Sequence, residues 1–240
     1  MKSYKILISL IASAVICSCA PIENYYVPGY ISEYYFLQED NSIIVNNDDV
    51  ENGTLSIKLP AHISRSVDVT NYGKKHEKKE YYRLCQKFDD MYYNQHVREP
   101  AVGDTWHNYV RAIADVVSDV AIVSDDDWSA AYPKGALLND LFSVKCKTIY
   151  PYIKSRYTAE SVFTAIDKPL SDIVESDLTL LQQVSYGYYN ESPHYWVQTG
   201  SCFLELYTDK LPDSPIQSLH ITLTTDEGKT LEYSVELDLR

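Results

Sequence analysis

LHITLTTDEGKTLEYSVELDL, residues 219–239, is the stretch that decides the fold. Leu219, Ile221 and Leu223 alternate with polar residues, and Leu231, Tyr233, Val235, Leu237 and Leu239 do so again. A period of two belongs to a strand with one face on a core and the other in water. Between the runs, Asp226-Glu227-Gly228-Lys229 is a short turn, with glycine where a left-handed backbone suits a hairpin. The stretch predicts two antiparallel strands.

The same period recurs upstream. Leu55, Ile57 and Leu59 alternate until Pro60, and Phe142, Val144, Cys146 and Thr148 alternate before Pro151. Cys202 to Tyr207 places Leu204 and Leu206 on one side and Phe203, Glu205 and Tyr207 on the other. Val116 to Ser124 reads as a further strand. Before it, Trp106, Val110, Ile113 and Val117 keep helical spacing behind Asp104 or Thr105 as N-cap. That predicts a short helix or irregular segment to about Ala114. Ile173, Val174, Leu178 and Leu181 suit one or two helical turns between Pro169 and Val184. GKKHEKKE, residues 73–80, is a charged run without apolar residues, read as a solvated loop or an exposed helical turn.

Strands separated by long loops predict a mainly β protein. The expected form is an immunoglobulin-like β-sandwich with minor helix, with α+β as the alternative. No internal repeat is visible, and one mainly β domain is expected over 51–240. Residues 20–50 are polar and Tyr-rich, broken by Pro21, Pro28 and Gly29, with a turn at Asn46 to Asp49. They read, as part of 19–50, as a tether that joins the body after Tyr34.

The chain opens MKSYKILISLIASAVICSC. Lys2 and Lys5 precede an apolar run from Ile6 to Ile16, too short for a bilayer span of about 20 residues and suited to a secretory signal. Ile16-Cys17-Ser18-Cys19 resembles the lipobox of bacterial lipoproteins. That resemblance implies a signal peptide over 1–18 and lipidation of Cys19, giving a membrane anchor in the bacterial envelope. An outer-membrane lipoprotein is expected, facing the periplasm or the cell surface.

The whole chain holds 21 Lys+Arg against 34 Asp+Glu, a formal charge of −13. Such a balance argues against nucleic acid as partner, because phosphate needs a basic footprint. Cys85, Cys146 and Cys202 remain beside Cys19 in the processed chain. Three thiols allow at most one bridge, and spacing does not separate the three pairings. Burial as small hydrophobes is the leading expectation.

Two stretches carry a wider resemblance: SDDDWSAAYPKGALLNDLFSV, residues 124–144, and HITLTTDEGKTLEYSVEL, residues 220–237. Together they resemble a family of Bacteroidetes envelope lipoproteins catalogued only as a domain of unknown function. The resemblance spans about residues 110–240. It implies a strand, a long Pro/Gly turn and a Leu-Asn-Asp step in the first stretch. It brings no reaction, ligand or catalytic residue. The residues themselves put a turn at Pro133 and Gly135, with Asn139 or Asp140 free to bond neighbouring backbone.

Signatures of catalysis are missing. The eight glycines are too widely spaced for a dinucleotide fingerprint or a phosphate loop, and no GxSxG occurs. His76-Glu77 begins like a zinc-protease motif, but Glu80 stands where the second histidine must be. Asp125 to Asp127 lacks the spaced oxygens and turn glycine of a calcium loop. A thiol–imidazole couple of Cys85 with His96 or His107 has no support from spacing. The chain is read as non-enzymatic, with no cofactor and no metal.

Tyrosine is the remaining signal, with 22 Tyr against 5 Phe. Five Tyr-Tyr pairs occur: 25–26, 34–35, 81–82, 92–93 and 188–189. In a strand, one member of a pair packs while the other meets water. Exposed tyrosine offers rigid amphipathic area suited to glycan or protein partners. Residues 186–196 form the densest aromatic window, so Tyr186, Tyr188, Tyr189 and Trp196 are the candidate ligand-binding residues. The expected role is a binding module for glycan or an envelope protein. The alternative is a structural accessory of an outer-membrane or fimbrial complex.

Overall fold

The computed structural model describes residues 24–27, 29–38, 43–45, 52–68, 75–93, 95–98, 110–190 and 195–240, with backbone pairing alone at 24–27, 95–98, 185–190 and 195–200. The chain is mainly β with few helices. Fifteen strands, β1 to β15 in chain order, and two α-helices, α1 and α2, are described.

The C-terminal hairpin forms as its alternation requires. Strands β14 (Ile216–Thr225) and β15 (Thr230–Asp238) pair antiparallel with Ile221 opposite Tyr233. Gly228 takes φ +77 in the turn, a conformation that favours glycine, and its N–H bonds the Thr225 carbonyl at 2.9 Å. Strand β8 (Val117–Ser124) pairs on the other side of β14, giving the sheet order β15-β14-β8.

A five-stranded sheet shares its core. Its order is β10-β9-β13-β4-β3, from β3 (Ile44–Val45), β4 (Leu55–Leu59), β9 (Ser143–Thr148), β10 (Thr164–Pro169) and β13 (Leu204–Thr208). Leu55, Ile57, Leu59, Val144, Leu204 and Leu206 meet Val120, Ile122, Leu219, Ile221, Leu223 and Leu231 in one buried cluster. Each such side chain stabilises the fold by about 1.5–3 kcal/mol through area removed from water. Two antiparallel sheets on one core are consistent with a β-sandwich.

The stretch after β8 closes that core. Trp128 is buried, its ring 5.9 Å from Phe142 and its indole N–H donating to the Lys210 carbonyl at 3.0 Å. Asn139 does what a partner strand would do at the edge of β8. Its Oδ1 accepts the Ile122 N–H at 3.0 Å, and its Nδ2 donates to the Val120 carbonyl at 2.6 Å. Asp140 accepts the Tyr132 hydroxyl at 2.5 Å.

A second core lies beside the first. Strand β2 (Glu33–Leu37) pairs antiparallel with β5 (Ile63–Asp68) and parallel with β7 (Arg111–Ile113). Ile31, Tyr34, Val67 and Ala112 pack there with Tyr81, Leu84, Cys85 and Phe88 of helix α1 (Lys75–Phe88), and with Ile153 of the short helix α2 (Tyr150–Lys154). Charged contacts join the two cores. Lys87 bridges Asp226 at 2.9 Å and Glu227 at 3.3 Å in the hairpin turn. Lys229 meets Asp115 at 3.5 Å and donates to the Leu37 carbonyl.

The charged run is helical from Lys75, as the second of its two readings had it, with 73 and 74 outside the described residues; the helix, α1, continues to Phe88 because Tyr81 onward supplies a buried face. Two expectations change. Residues 111–113 are extended rather than helical, since Ala112 and Ile113 are buried in register with β2; residues 104–109 lie outside the described residues. Residues 29–38, assigned to the tether, belong to the body, with Ile31, Tyr34 and Leu37 buried. The expected turns after Pro169 are 3-10 turns at Leu170–Asp172 and Glu175–Leu178. Cys85, Cys146 and Cys202 are buried free thiols, so none of the three pairings forms. No helix among the described residues is long and apolar enough to cross a membrane.

Candidate functional site

Helix α1 ends in a way that aims a carboxylate inward. Asp89 takes φ 63, its N–H bonds the Gln86 carbonyl at 3.3 Å, and the Asp90 N–H reaches the Cys85 carbonyl at 2.8 Å. This is the Schellman pattern, with aspartate at the left-handed position where glycine is usual. Asp90 follows and is fully buried.

Four donors converge on its carboxylate. Oδ1 accepts the Tyr30 N–H and the Tyr157 hydroxyl, each at 2.7 Å. Oδ2 accepts the Ile31 N–H and the Tyr34 hydroxyl, each at 3.1 Å. Burial pushes the Asp90 carboxyl above its ordinary range although all four donors favour the charged form. Gly29 has to be glycine for this approach. A Cβ there would lie 2.6 Å from Asp90 Oδ2, 2.8 Å from Cys85 Sγ and 2.9 Å from the Tyr81 hydroxyl.

Around the carboxylate the tyrosines form a ring cluster that reaches the surface. Tyr30 meets Tyr93 edge-on, with centroids 4.6 Å apart at 89°, and Tyr152 at 5.1 Å and 63°. Tyr157 closes the group, 5.2 Å from Tyr93 and 5.8 Å from Tyr152. All four rings are half-buried, and neighbouring Tyr92 is 56% exposed. Edge-to-face pairs contribute about 0.5–1.5 kcal/mol each beyond area burial, so the group is a preformed platform. Tyr157 is held by two left-handed residues after α2, Arg156 at φ 56 and Tyr157 itself at φ 64. With Asp89, three of the four described non-glycine residues at positive φ lie at this cluster. Backbone strain of this kind concentrates at functional sites.

The phenols here are neutral donors. Burial raises the Tyr30 and Tyr157 hydroxyls, and the hydrogen bond to Asp90 raises Tyr157 further. Burial also drives the Cys85 thiol up to about 12, which keeps it protonated among Tyr34, Tyr81 and Asp90. A protonated thiol is not a nucleophile. His96 and His107, its suggested partners, lie outside the described side chains.

One catalytic-looking contact escaped the sequence reading. His220 Nε2 lies 2.6 Å from Asp125 Oδ2, and its Nδ1 lies 2.9 Å from Ser234 Oγ. His220 and Ser234 face each other across the β14–β15 ladder on an exposed surface. Acyl transfer also needs free N–H donors at the oxyanion position. The trio links the two strands of the hairpin to Asp125 at the end of β8. Asp127 is likewise engaged, accepting the Lys134 N–H at 2.7 Å. Among the described residues, no group of three or more His, Cys, Asp or Glu converges to hold a metal.

The window chosen from sequence forms an antiparallel ribbon of β11 (Val184–Asn190) and β12 (Tyr195–Cys202). Tyr189 pairs with Trp196 and Tyr188 with Val197, while Tyr186 pairs with Gly200 beyond an irregularity. Tyr189 and Trp196 are therefore brought opposite each other at the backbone. A largely apolar cleft of about 230 Å³ opens at the ribbon's base, between Cys146, Ile166, Cys202 and Phe203. Cys19 lies outside the described residues. Sequence reasoning missed the Asp90 cluster, although Tyr34, Tyr81, Tyr92 and Tyr93 come from three of the tyrosine pairs it had singled out. Comparison with family models, with curated proteins and with solved structures finds no match.

Proposed function

We propose that this chain is a bacterial envelope lipoprotein, acyl-anchored at Cys19, whose body is a non-enzymatic binding module for glycan. One observation carries the binding part: the half-buried platform of Tyr30, Tyr93, Tyr152 and Tyr157, with exposed Tyr92 at its rim. A pyranose presents an apolar C–H face and a rim of hydroxyls, and a preordered tyrosine surface matches both. Tyr186, Tyr188, Tyr189 and Trp196 of the β11–β12 ribbon are the second set of candidate contact residues in this reading, with Tyr189 opposite Trp196 in the backbone register. The anchoring part rests on the lipobox-like Ile16 to Cys19 and the short apolar run before it. Placement in the outer membrane and membership of the Bacteroidetes lipoprotein family belong to the same proposal. So does the immunoglobulin-like form of the sandwich, which two antiparallel sheets on one core favour and the parallel β2–β7 pair does not.

A second reading, a structural accessory of an envelope complex, is favoured by β15. This nine-residue strand pairs only with β14 among the described residues. Such an edge accepts an added strand from a partner. Recovery of the native protein as a partner-free monomer in mild detergent counts against it.

Affinity gel electrophoresis of residues 20–240 through a polysaccharide panel tests the main reading. Retardation by one glycan, lost in Tyr93→Ala, supports the tyrosine platform. Retardation lost only in Trp196→Ala moves the site to the ribbon. Uniform migration across the panel refutes glycan binding.

A further inference from the structure

Among the arginines whose side chains are described, Arg156 alone has no carboxylate beside it. The described arginines Arg65, Arg83, Arg111 and Arg240 each meet a carboxylate within 3.5 Å, through Glu80, Glu80, Glu33 and Asp238. Arg156 has no carboxylate partner among the described residues, in a chain with 34 acidic residues against 21 basic ones. Its guanidinium instead sits 5.0 Å from the ring centroid of Tyr92, and both residues are exposed. Arg156 also adopts φ 56, a left-handed backbone in the turn that delivers Tyr157 to Asp90. Lys154, the neighbouring cation, lies 3.7 Å from Asp89 in an exposed contact.

A guanidinium lying on an aromatic ring keeps its charge and its outward N–H fork. That fork matches a carboxylate or sulfate in two parallel hydrogen bonds. The ring beneath it and the tyrosines beside it supply the apolar face for the sugar carrying that group. A body this acidic repels a polyanion over most of its surface. An anionic ligand therefore needs a local cation that offsets this field, as Arg156 does beside Tyr92.

We infer that the Arg156–Tyr92 ledge makes the tyrosine platform selective for acidic glycans, with Arg156 taking the sugar's anionic group and Tyr92 and Tyr93 its ring. This rests on the glycan-binding reading above and narrows it to a charge class.

The test uses polygalacturonate, its fully methyl-esterified form, alginate, chondroitin sulfate and dextran as probes in affinity electrophoresis of residues 20–240. At least one acidic probe is expected to retard the protein about tenfold more strongly than dextran. Where polygalacturonate binds, its methyl ester is expected to lose that advantage, since the backbone is kept and the charge removed. Binding of chondroitin sulfate that is lost on its desulfation, which keeps the glucuronate carboxylates, assigns the group as sulfate. Arg156→Gln is expected to weaken acidic binding about tenfold, with Arg156→Lys recovering part of it and the circular dichroism spectrum unchanged. Equal binding of neutral and acidic probes, or an unchanged Arg156→Gln, overturns the inference while glycan binding stands. Retardation by none of the probes overturns both.

Discussion

The hydroxyl of Tyr157 donates to Oδ1 of Asp90 at 2.7 Å, across 67 residues of sequence. This contact ties the turn after α2 to the end of α1. The same oxygen receives the Tyr30 N–H, so one buried carboxylate fixes two rings of the tyrosine platform at once. The platform is shaped from inside the second core.

Replacing that carboxylate is therefore expected to be costly. Asp90→Asn keeps the shape but, in either orientation, turns its NH₂ toward a backbone N–H, of Tyr30 or of Ile31, that can only donate. Removing a charged hydrogen-bond partner from a buried site costs about 2–4 kcal/mol. Tyr157→Phe deletes one donor of four and is expected to cost about 1 kcal/mol. Urea unfolding of the two variants checks the order. A Tyr157→Phe cost equal to that of Asp90→Asn argues against a shared carboxylate hub.

Two backbone positions beside the hub carry opposite expectations. Gly29→Ala places a methyl 2.6 Å from Asp90 Oδ2 and is expected to cost about 1–3 kcal/mol through overpacking. Asp89→Gly relieves a left-handed backbone at φ 63 and is expected to gain about 0.5–1 kcal/mol. The 3.7 Å contact with Lys154 that it removes is exposed and contributes little. Thermal melting of the pair tests the sign, and destabilisation by Asp89→Gly contradicts the account.

Buried thiols set a base limit on stability. Burial moves Cys85 and Cys146 from the usual 9.0 up to about 12 in the folded state. The unfolded chain then sheds these protons above about pH 9 while the folded chain keeps them. Their contribution to stability is present below that pH and is lost as pH rises toward 12. The urea midpoint is expected to fall between pH 8.5 and 10.5 on these values, and less steeply in Cys85→Ala. At pH 8 none of the three thiols is expected to react with Ellman's reagent until the protein unfolds.

How much was legible depended on period and on distance along the chain. The β14–β15 hairpin, β4, β9 and β13 were readable because each buries one face and alternates without interruption. Helix α1 was readable only in part. Its first turns are the charged run, yet Tyr81, Leu84, Cys85 and Phe88 fall at i, i+3, i+4 and i+7, and all are buried. Strand β7 has three residues, too few to show a period, and the apolar residues around it happen to keep helical spacing. Residues 29–38 looked like a tether because proline and glycine flank them, while the burial of Ile31 and Tyr34 comes from distant residues. The Asp90 cluster was hidden for the same reason, since its side-chain contacts join residues 56 to 67 apart. Its one local trace was the pairing of tyrosines. Tyr34 and Tyr81 pack inside while Tyr35 and Tyr82 reach outward, and Tyr92 is exposed beside half-buried Tyr93.

Hydroxyl-radical footprinting of residues 20–240, with and without the polysaccharide that retards it most, tests the binding platform most directly. The account predicts that bound glycan protects Tyr92, Tyr93 and Tyr152 from oxidation while Tyr132 and Tyr207 on the sandwich react as before. Protection confined to Tyr188, Tyr189 and Trp196, or to no tyrosine at all, contradicts it.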